Sequence, residues 1–232
     1  MRKPIAIVAA MQQELAAVLA LLPDEAKQVY AGRDFWVGHL HGREVVAVLS
    51  RIGKVAAATT AAALIERFQV DSIVFTGVAG GLARGVNVGD VVVADAFVQH
   101  DLDASPIFPR YEVPLYGTSN FATDAALTER LAAAVRAALP AARLHRGLVA
   151  SGDRFVSSSA ESQALQLALP DAPAVEMEGA AFAQVCHDHG VPFAAVRTVS
   201  DRADDAAHGD FLRFIEDVAS RHSAAIIEAF LR

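Results

Sequence analysis

Cysteine is almost missing from this chain. Cys186 is the only one in 232 residues, so no internal disulfide can form and a reducing compartment is expected. As a lone residue on a helical stretch it reads as a small buried hydrophobe before it reads as a nucleophile. Positive charge is also in short supply: 20 Lys and Arg face 27 Asp and Glu, a formal net charge of -7. That balance speaks against a non-specific nucleic-acid binder, which needs a basic face. No block of like charge suggests a tail or an anionic-membrane patch. Long apolar runs are lacking too. The run from Pro4 to Met11 is too short for a secretory signal before Gln12, Gln13 and Glu14 interrupt it, and no uncharged stretch reaches the length of a membrane span. A soluble cytoplasmic protein is therefore expected. No internal repeat, low-complexity segment or linker appears, which leaves a single domain over residues 1–232. His100-Asp101-x-Asp103 and His187-x-His189 lack a third ligand at metal-site spacing. Neither a metal nor a cofactor is expected. Ser157 to Ser159 have no His and Asp arranged to make a nucleophile of any of them.

What is present is a large apolar fraction, 53%, with 20% charged residues, enough for a sizeable core. The residues after Pro4, IAIVAA, form a continuous apolar run of the kind buried on both faces of a central sheet. A helix follows, with Leu15, Val18, Leu19 and Leu22 at helical spacing, closed by Pro23. Phe35–Leu40 and Glu44–Leu49 read as a hairpin around His41-Gly42. An alanine-dense helix over Val55–Phe68 precedes a strand at Asp71–Thr76, and Val91–Val98 reads as another strand. Residues Asp101 to Phe121 hold Pro106, Pro109 and Pro114 and read as a long functional loop. Thr123 or Asp124 caps the next helix. A strand at Arg146–Ser151, a helix ending near Leu169, and a terminal helix with Phe211, Phe214, Ile215, Val218, His222 and Ile226 on one stripe complete the chain. Alternating strands and helices predict a three-layer α/β/α sandwich, and the early hairpin predicts a mixed central sheet.

Chemistry concentrates where strands end, the edge at which open α/β sheets bind ligands. Five such loops carry polar or glycine residues: Met11 to Glu14, Gly77 to Gly81, Gly152 to Val156, Glu176 to Glu178, and Arg197 to Asp201. The glycine stretch, with Val78, Ala79 and Gly80, reads as a loop whose N–H groups let a ligand approach the backbone. It lacks the dinucleotide fingerprint. Carboxylates on separate strand ends suit glycosidic cleavage, where one group protonates the leaving atom and another activates water. Phe155 could stack on an aromatic ring or belong to the core. Asp201 taken alone could cap a helix or pair with Arg202.

The motifs MQQE, TGVAGGL, VGDVVV, SGDRFV, VEMEG and VRTVSD occur in the order and spacing of the 5′-methylthioadenosine/S-adenosylhomocysteine nucleosidases. The chain resembles that family of the nucleoside phosphorylase superfamily over nearly its whole length. The resemblance implies a nucleoside phosphorylase-like fold and release of adenine from 5′-methylthioadenosine and S-adenosylhomocysteine, with 5′-deoxyadenosine as a further candidate substrate. It implies that Asp201 is the general acid to purine N7, oriented by Ser200, and that Glu14 activates water with help from Arg197. Glu178 would bind the ribose hydroxyls while Met177 packs on the sugar. Glu176 stands beside it and reads as structural, because only one of the two glutamates can enter the ribose site. Phe155 and the Val156 backbone would hold adenine, and Phe211 and Met11 the 5′-substituent. The family's subunit-crossing loop would fall at Ile107 and Phe108, which implies a homodimer. Val78 departs from the serine that many members carry there.

Other functions share parts of this pattern. A phosphorylase of the same fold should present arginines to phosphate, and Gln12, Gln13 and Glu14 would not. An aminofutalosine nucleosidase would use the same residues. A non-catalytic nucleoside-binding protein would not need Glu14 and Asp201 together.

Overall fold

The computed structural model describes residues 3–214 and 218–232. Strand β1 (Ile5–Ala9) is buried throughout. Ile5, Ile7 and Ala9 enter one core, and Ala6 and Val8 the other. This is the period-two alternation of a strand covered on both faces. Helix α1 (Gln12–Leu19) follows closely, and then β2 (Ala26–Tyr30), β3 (Arg33–Leu40) and β4 (Arg43–Leu49) form an antiparallel meander. The β3–β4 turn is His41-Gly42, with φ of 49° and 75°, as a two-residue hairpin turn of this kind requires. The chain continues through α2 (Lys54–Glu66), β5 (Ser72–Gly81), β6 (Val91–Gln99) and β7 (Asn120–Ala122). Helix α3 (Ala125–Ala138) is capped by Asp124, which accepts a hydrogen bond from the Leu127 N–H at 2.8 Å. Then come β8 (Leu144–Ser151), α4 (Ser159–Ala168), β9 (Ala174–Glu176), α5 (Gly179–His189) and β10 (Phe193–Asp201).

The sheet is mixed and ten-stranded, in the order β10-β6-β8-β9-β5-β1-β4-β3-β2, with β7 beside β6. Strand β5 also pairs with β10, so β5, β10, β6, β8 and β9 close into a ring at one end of the open sheet. Helices α2 and α5 pack on one face. On the other lie α1, α3 and α7 (Ser220–Leu231). The three-layer arrangement with a central mixed sheet is thus observed. Cys186 faces the α5 core, where burial pushes its thiol up to about 12.

One expectation about these elements differs from the structure. Gly77–Gly81 is no loop: it is the second half of β5, paired to β10 through Gly80 and to β9 at Gly80 and Gly81. Of the terminal helix, α6 (Ala207–Phe214) and α7 are described, and Ile215 lies outside the described residues. The segment from Asp101 to Phe121 is largely irregular, with an isolated bridge between Val113 and Thr118 before β7. Among the described residues, no helix is long and apolar enough to cross a membrane.

Candidate active site

A cavity of about 340 Å³ opens where β1, β5, β9 and β10 end. Its wall brings together Met11, Val78, Ala79, Gly80, Phe155, Glu176, Met177, Glu178, Ser200, Asp201 and Phe211. A smaller recess of about 30 Å³ adjoins it at Gly80, Phe155 and Asp201, and adds Val156. Residues from all five strand-end segments therefore converge on one place. Ile107, 82% exposed, and Phe108 do not line this chain's cavity.

Asp201 owes its direction to an irregularity in β10. Val199 pairs with Ala79 and Asp201 with the next residue, Gly80, so Ser200 is an extra residue in the ladder. Such a bulge re-aims the side chain that follows it. The Ser200 hydroxyl donates to Asp201 Oδ2 at 2.8 Å, and the Ala203 N–H donates to Oδ1 at 2.8 Å. Burial raises the Asp201 pKa, those two donors oppose it, and the charges of Asp204 and Asp210 add to the rise. Gly80 is required across the ladder: a Cβ there would sit 2.9 Å from Asp201 Oδ1 and 3.0 Å from the Ala203 Cβ.

Glu178 stands at the start of α5, where Oε1 accepts a hydrogen bond from the Gly53 N–H at 2.9 Å. Its pKa is pushed up to about 8, by burial first and then by the neighbouring Glu176 charge. Glu176 has its oxygens engaged elsewhere. Arg197 Nη2 lies 2.8 Å away, the N–H groups of Glu178 and Gly179 donate at 3.1 and 2.8 Å, and the Ser151 hydroxyl is a further partner. So Glu176 edges the cavity while its carboxylate ties β9, β8 and β10 together. Gly179 has no room for a side chain, because an added Cβ would enter the Phe97 ring.

Arg197 lies beneath the cavity and is 1% exposed. Its guanidinium rests 4.0 Å from the centroid of the Phe75 ring and reaches Glu176, with no place in the cavity wall. Its charge acts on Glu14 and Glu178 through the protein interior. Glu14 is fully buried behind Ala10 and Met11. The Met11 N–H donates to Oε2 at 3.1 Å, while Oε1 is buried with no hydrogen-bond partner. Burial raises the Glu14 pKa to about 7, against the Met11 N–H and Arg197, which lower it.

Phe155 is 41% exposed at the mouth and meets Phe211 edge-on at 5.8 Å. It is not a core residue. Sequence reasoning missed Ala10, Ile52 and Val175 in the wall and Gly53 behind it. The signal for two of these was available: Ser50 to Lys54 also follows a strand and carries a glycine between cations. Among the described residues, no group of three or more His, Cys, Asp or Glu is placed to hold a metal ion.

Residues 4–232 match the family model of the Phosphorylase superfamily. A 5′-methylthioadenosine/S-adenosylhomocysteine nucleosidase of Shewanella denitrificans is 36% identical over 227 residues, 98% of each protein. The enzyme of that name from Neisseria meningitidis, solved in complex with methylthio-immucillin-A, superposes with a TM-score of 0.93 at 36% identity, covering 98% of both chains. The chain belongs to the 5′-methylthioadenosine/S-adenosylhomocysteine nucleosidase family. The futalosine hydrolase of Helicobacter pylori is similar too, at 33% identity and a TM-score of 0.91 over 98% of this chain and 97% of that one. In this nucleosidase-family chain, Val78 makes the wall beside Met11 and Phe211 apolar.

Proposed function

We propose that the protein hydrolyses the N-glycosidic bond of 5′-methylthioadenosine and S-adenosylhomocysteine, releasing adenine. The observation that carries this reading is the meeting of Asp201 and Glu178 in one cavity with Glu14 buried behind its wall. Asp201 protonates N7, so the C1′–N9 electron pair leaves with a neutral base. Burial helps it by holding its proton toward neutral pH. Glu178 grips the ribose hydroxyls, and its negative charge, once ionised, stabilises the oxocarbenium-like transition state. Water adds to C1′ and gives its proton to Glu14, whose pKa near 7 suits a general base. Phe155 and Val156 flank the adenine, while Met11, Val78 and Phe211 surround the 5′-substituent. Arg197 acts as a positioning residue that fixes Glu176 and moderates both catalytic glutamates.

Among the described residues no arginine or lysine lines the main chamber, which favours water over phosphate as the nucleophile. Adenine release from 5′-methylthioadenosine in phosphate-free buffer is the direct test. A strict requirement for added phosphate would overturn the reading. The similarity to the Helicobacter pylori futalosine hydrolase supports a second reading, hydrolysis of a futalosine-type nucleoside, and a panel of 5′-substituted substrates separates the two. We also propose a cytoplasmic homodimer. The exposed apolar side chains Val55, Ile107 and Leu115 support association, and a monomeric mass in sedimentation would refute it.

A further inference from the structure

A second cavity, of about 260 Å³, lies next to the first. Gln12 and Arg51 line it, while their chain neighbours Met11 and Ile52 line the active site. The two chambers share no lining residue and are linked through the adjacent pairs 11–12 and 51–52 of the chain. The adenine end, at Phe155 and Val156, is at the other side of the active site. Glu178, which marks the ribose, is tied to Gly53 immediately beyond Ile52. A substituent leaving the ribose C5′ away from the base thus heads toward this second cavity.

Its chemistry is specific. Arg33 is 9% exposed, and its Nε is buried with no hydrogen-bond partner. The other guanidinium nitrogens of Arg33 donate to the Ala31 and Ala56 carbonyls at 3.1 and 3.2 Å. Arg51 lies close enough for its charge to act on Arg33, and donates to the Gly32 carbonyl at 2.5 Å. Among the described residues, no carboxylate forms an ion pair with either arginine. Two uncompensated guanidinium groups facing one cavity are a receptor for an anion. Asp34 lines the same cavity and supplies one carboxylate, itself paired with Lys27 at 3.3 Å. Leu15, Leu19, Trp36 and Leu49 add an apolar wall for a methylene chain.

We propose that this second cavity receives the amino-acid head of a long 5′-thioether substituent, with the carboxylate on Arg33 and Arg51 and the ammonium toward Asp34. The proposal rests on the nucleosidase reading and extends it: the chain would select S-adenosylhomocysteine over neutral thioethers by reading its zwitterionic end. A carboxylate received by two guanidinium groups should gain about tenfold in kcat/KM.

The test compares S-adenosylhomocysteine with its carboxamide and with 5′-methylthioadenosine in the wild type and in Arg51→Gln, which keeps a donor for the Gly32 carbonyl. The wild type is expected to prefer the acid over the amide by about tenfold, a preference that falls with added salt, and Arg51→Gln is expected to lose it. Asp34→Asn should lower the ratio of S-adenosylhomocysteine to 5′-methylthioadenosine turnover independently. Equal kcat/KM for acid and amide in the wild type would overturn the proposal even if no variant folds. An acid-to-amide ratio that survives Arg51→Gln would also overturn it. Failure to cleave any of the three substrates would instead refute the nucleosidase reading.

Discussion

Replacing Glu14 by Gln should abolish most activity and yet stabilise the protein, by an amount that depends on pH. The folded Glu14 has its pKa raised from 4.5 to about 7 by burial. Below about 4.5 both folded and unfolded chains carry the proton, and ionisation contributes no difference. Between the two values the folded protein holds a proton that the unfolded chain has released, so stability falls as pH rises. Each unit of difference corresponds to about 1.4 kcal/mol, so wild type should lose roughly 3 kcal/mol from this group by the time pH passes about 7. The variant has no proton to lose. Its stability relative to wild type should therefore grow by roughly 2–3 kcal/mol between about pH 5 and about pH 8, whatever constant cost the amide imposes. Urea unfolding across that range measures the difference, and the shared titration of Glu178 cancels in the comparison. Parallel pH–stability curves for the two proteins would refute the claim that Glu14 is held protonated by burial. The same group predicts that wild-type kcat/KM rises with pH through about 7.

Asp201→Asn should cut kcat by roughly 10²–10⁴-fold while inhibitor binding, followed by calorimetry, stays largely intact. Glu178→Gln should weaken use of ribonucleosides more than of their 2′-deoxy counterparts, read as a ratio of kcat/KM values. Gly80→Ala should lower both kcat and thermal stability, because the added methyl meets the Asp201 carboxylate and the buried Ala203 Cβ. Arg197→Met should cost roughly 3–5 kcal/mol in unfolding free energy, since it strands the Glu176 charge in the interior. Unchanged stability in that variant would refute a structural role for the Arg197–Glu176 pair.

Much of the fold was legible because local signals and burial agreed. The apolar run at Ile5–Ala9, the His41-Gly42 turn and the Asp124 cap each carry their own instruction. The glycines from Gly77 to Gly81 misled, because glycine usually marks flexibility. Here they are small for the sake of neighbours: Arg197 passes beside Gly77 and Asp201 beside Gly80. Those neighbours arrive from a strand more than a hundred residues later, which periodicity cannot see. The link between Gly53 and Glu178 was hidden for the same reason. The carboxylates of the site were found by their position after apolar runs, yet their division of labour was not. That Glu176 is spent on Arg197 and backbone N–H groups, leaving Glu178 to face the cavity, depends on how β8, β9 and β10 are brought together.

The extra residue at Ser200 gives this site an unusual kind of fragility. A substitution in β10 alters one side chain, whereas loss of Ser200 would remove both the irregularity that re-aims Asp201 and the hydroxyl that donates to its carboxylate. The fold would still have its strands and its cores, with Val199 opposite Ala79 and the acid opposite Gly80. Variation in this stretch should therefore be accepted as exchange of letters and rejected as change of length, and a library of one-residue deletions across β10 should be inactive far more often than a library of alanine exchanges.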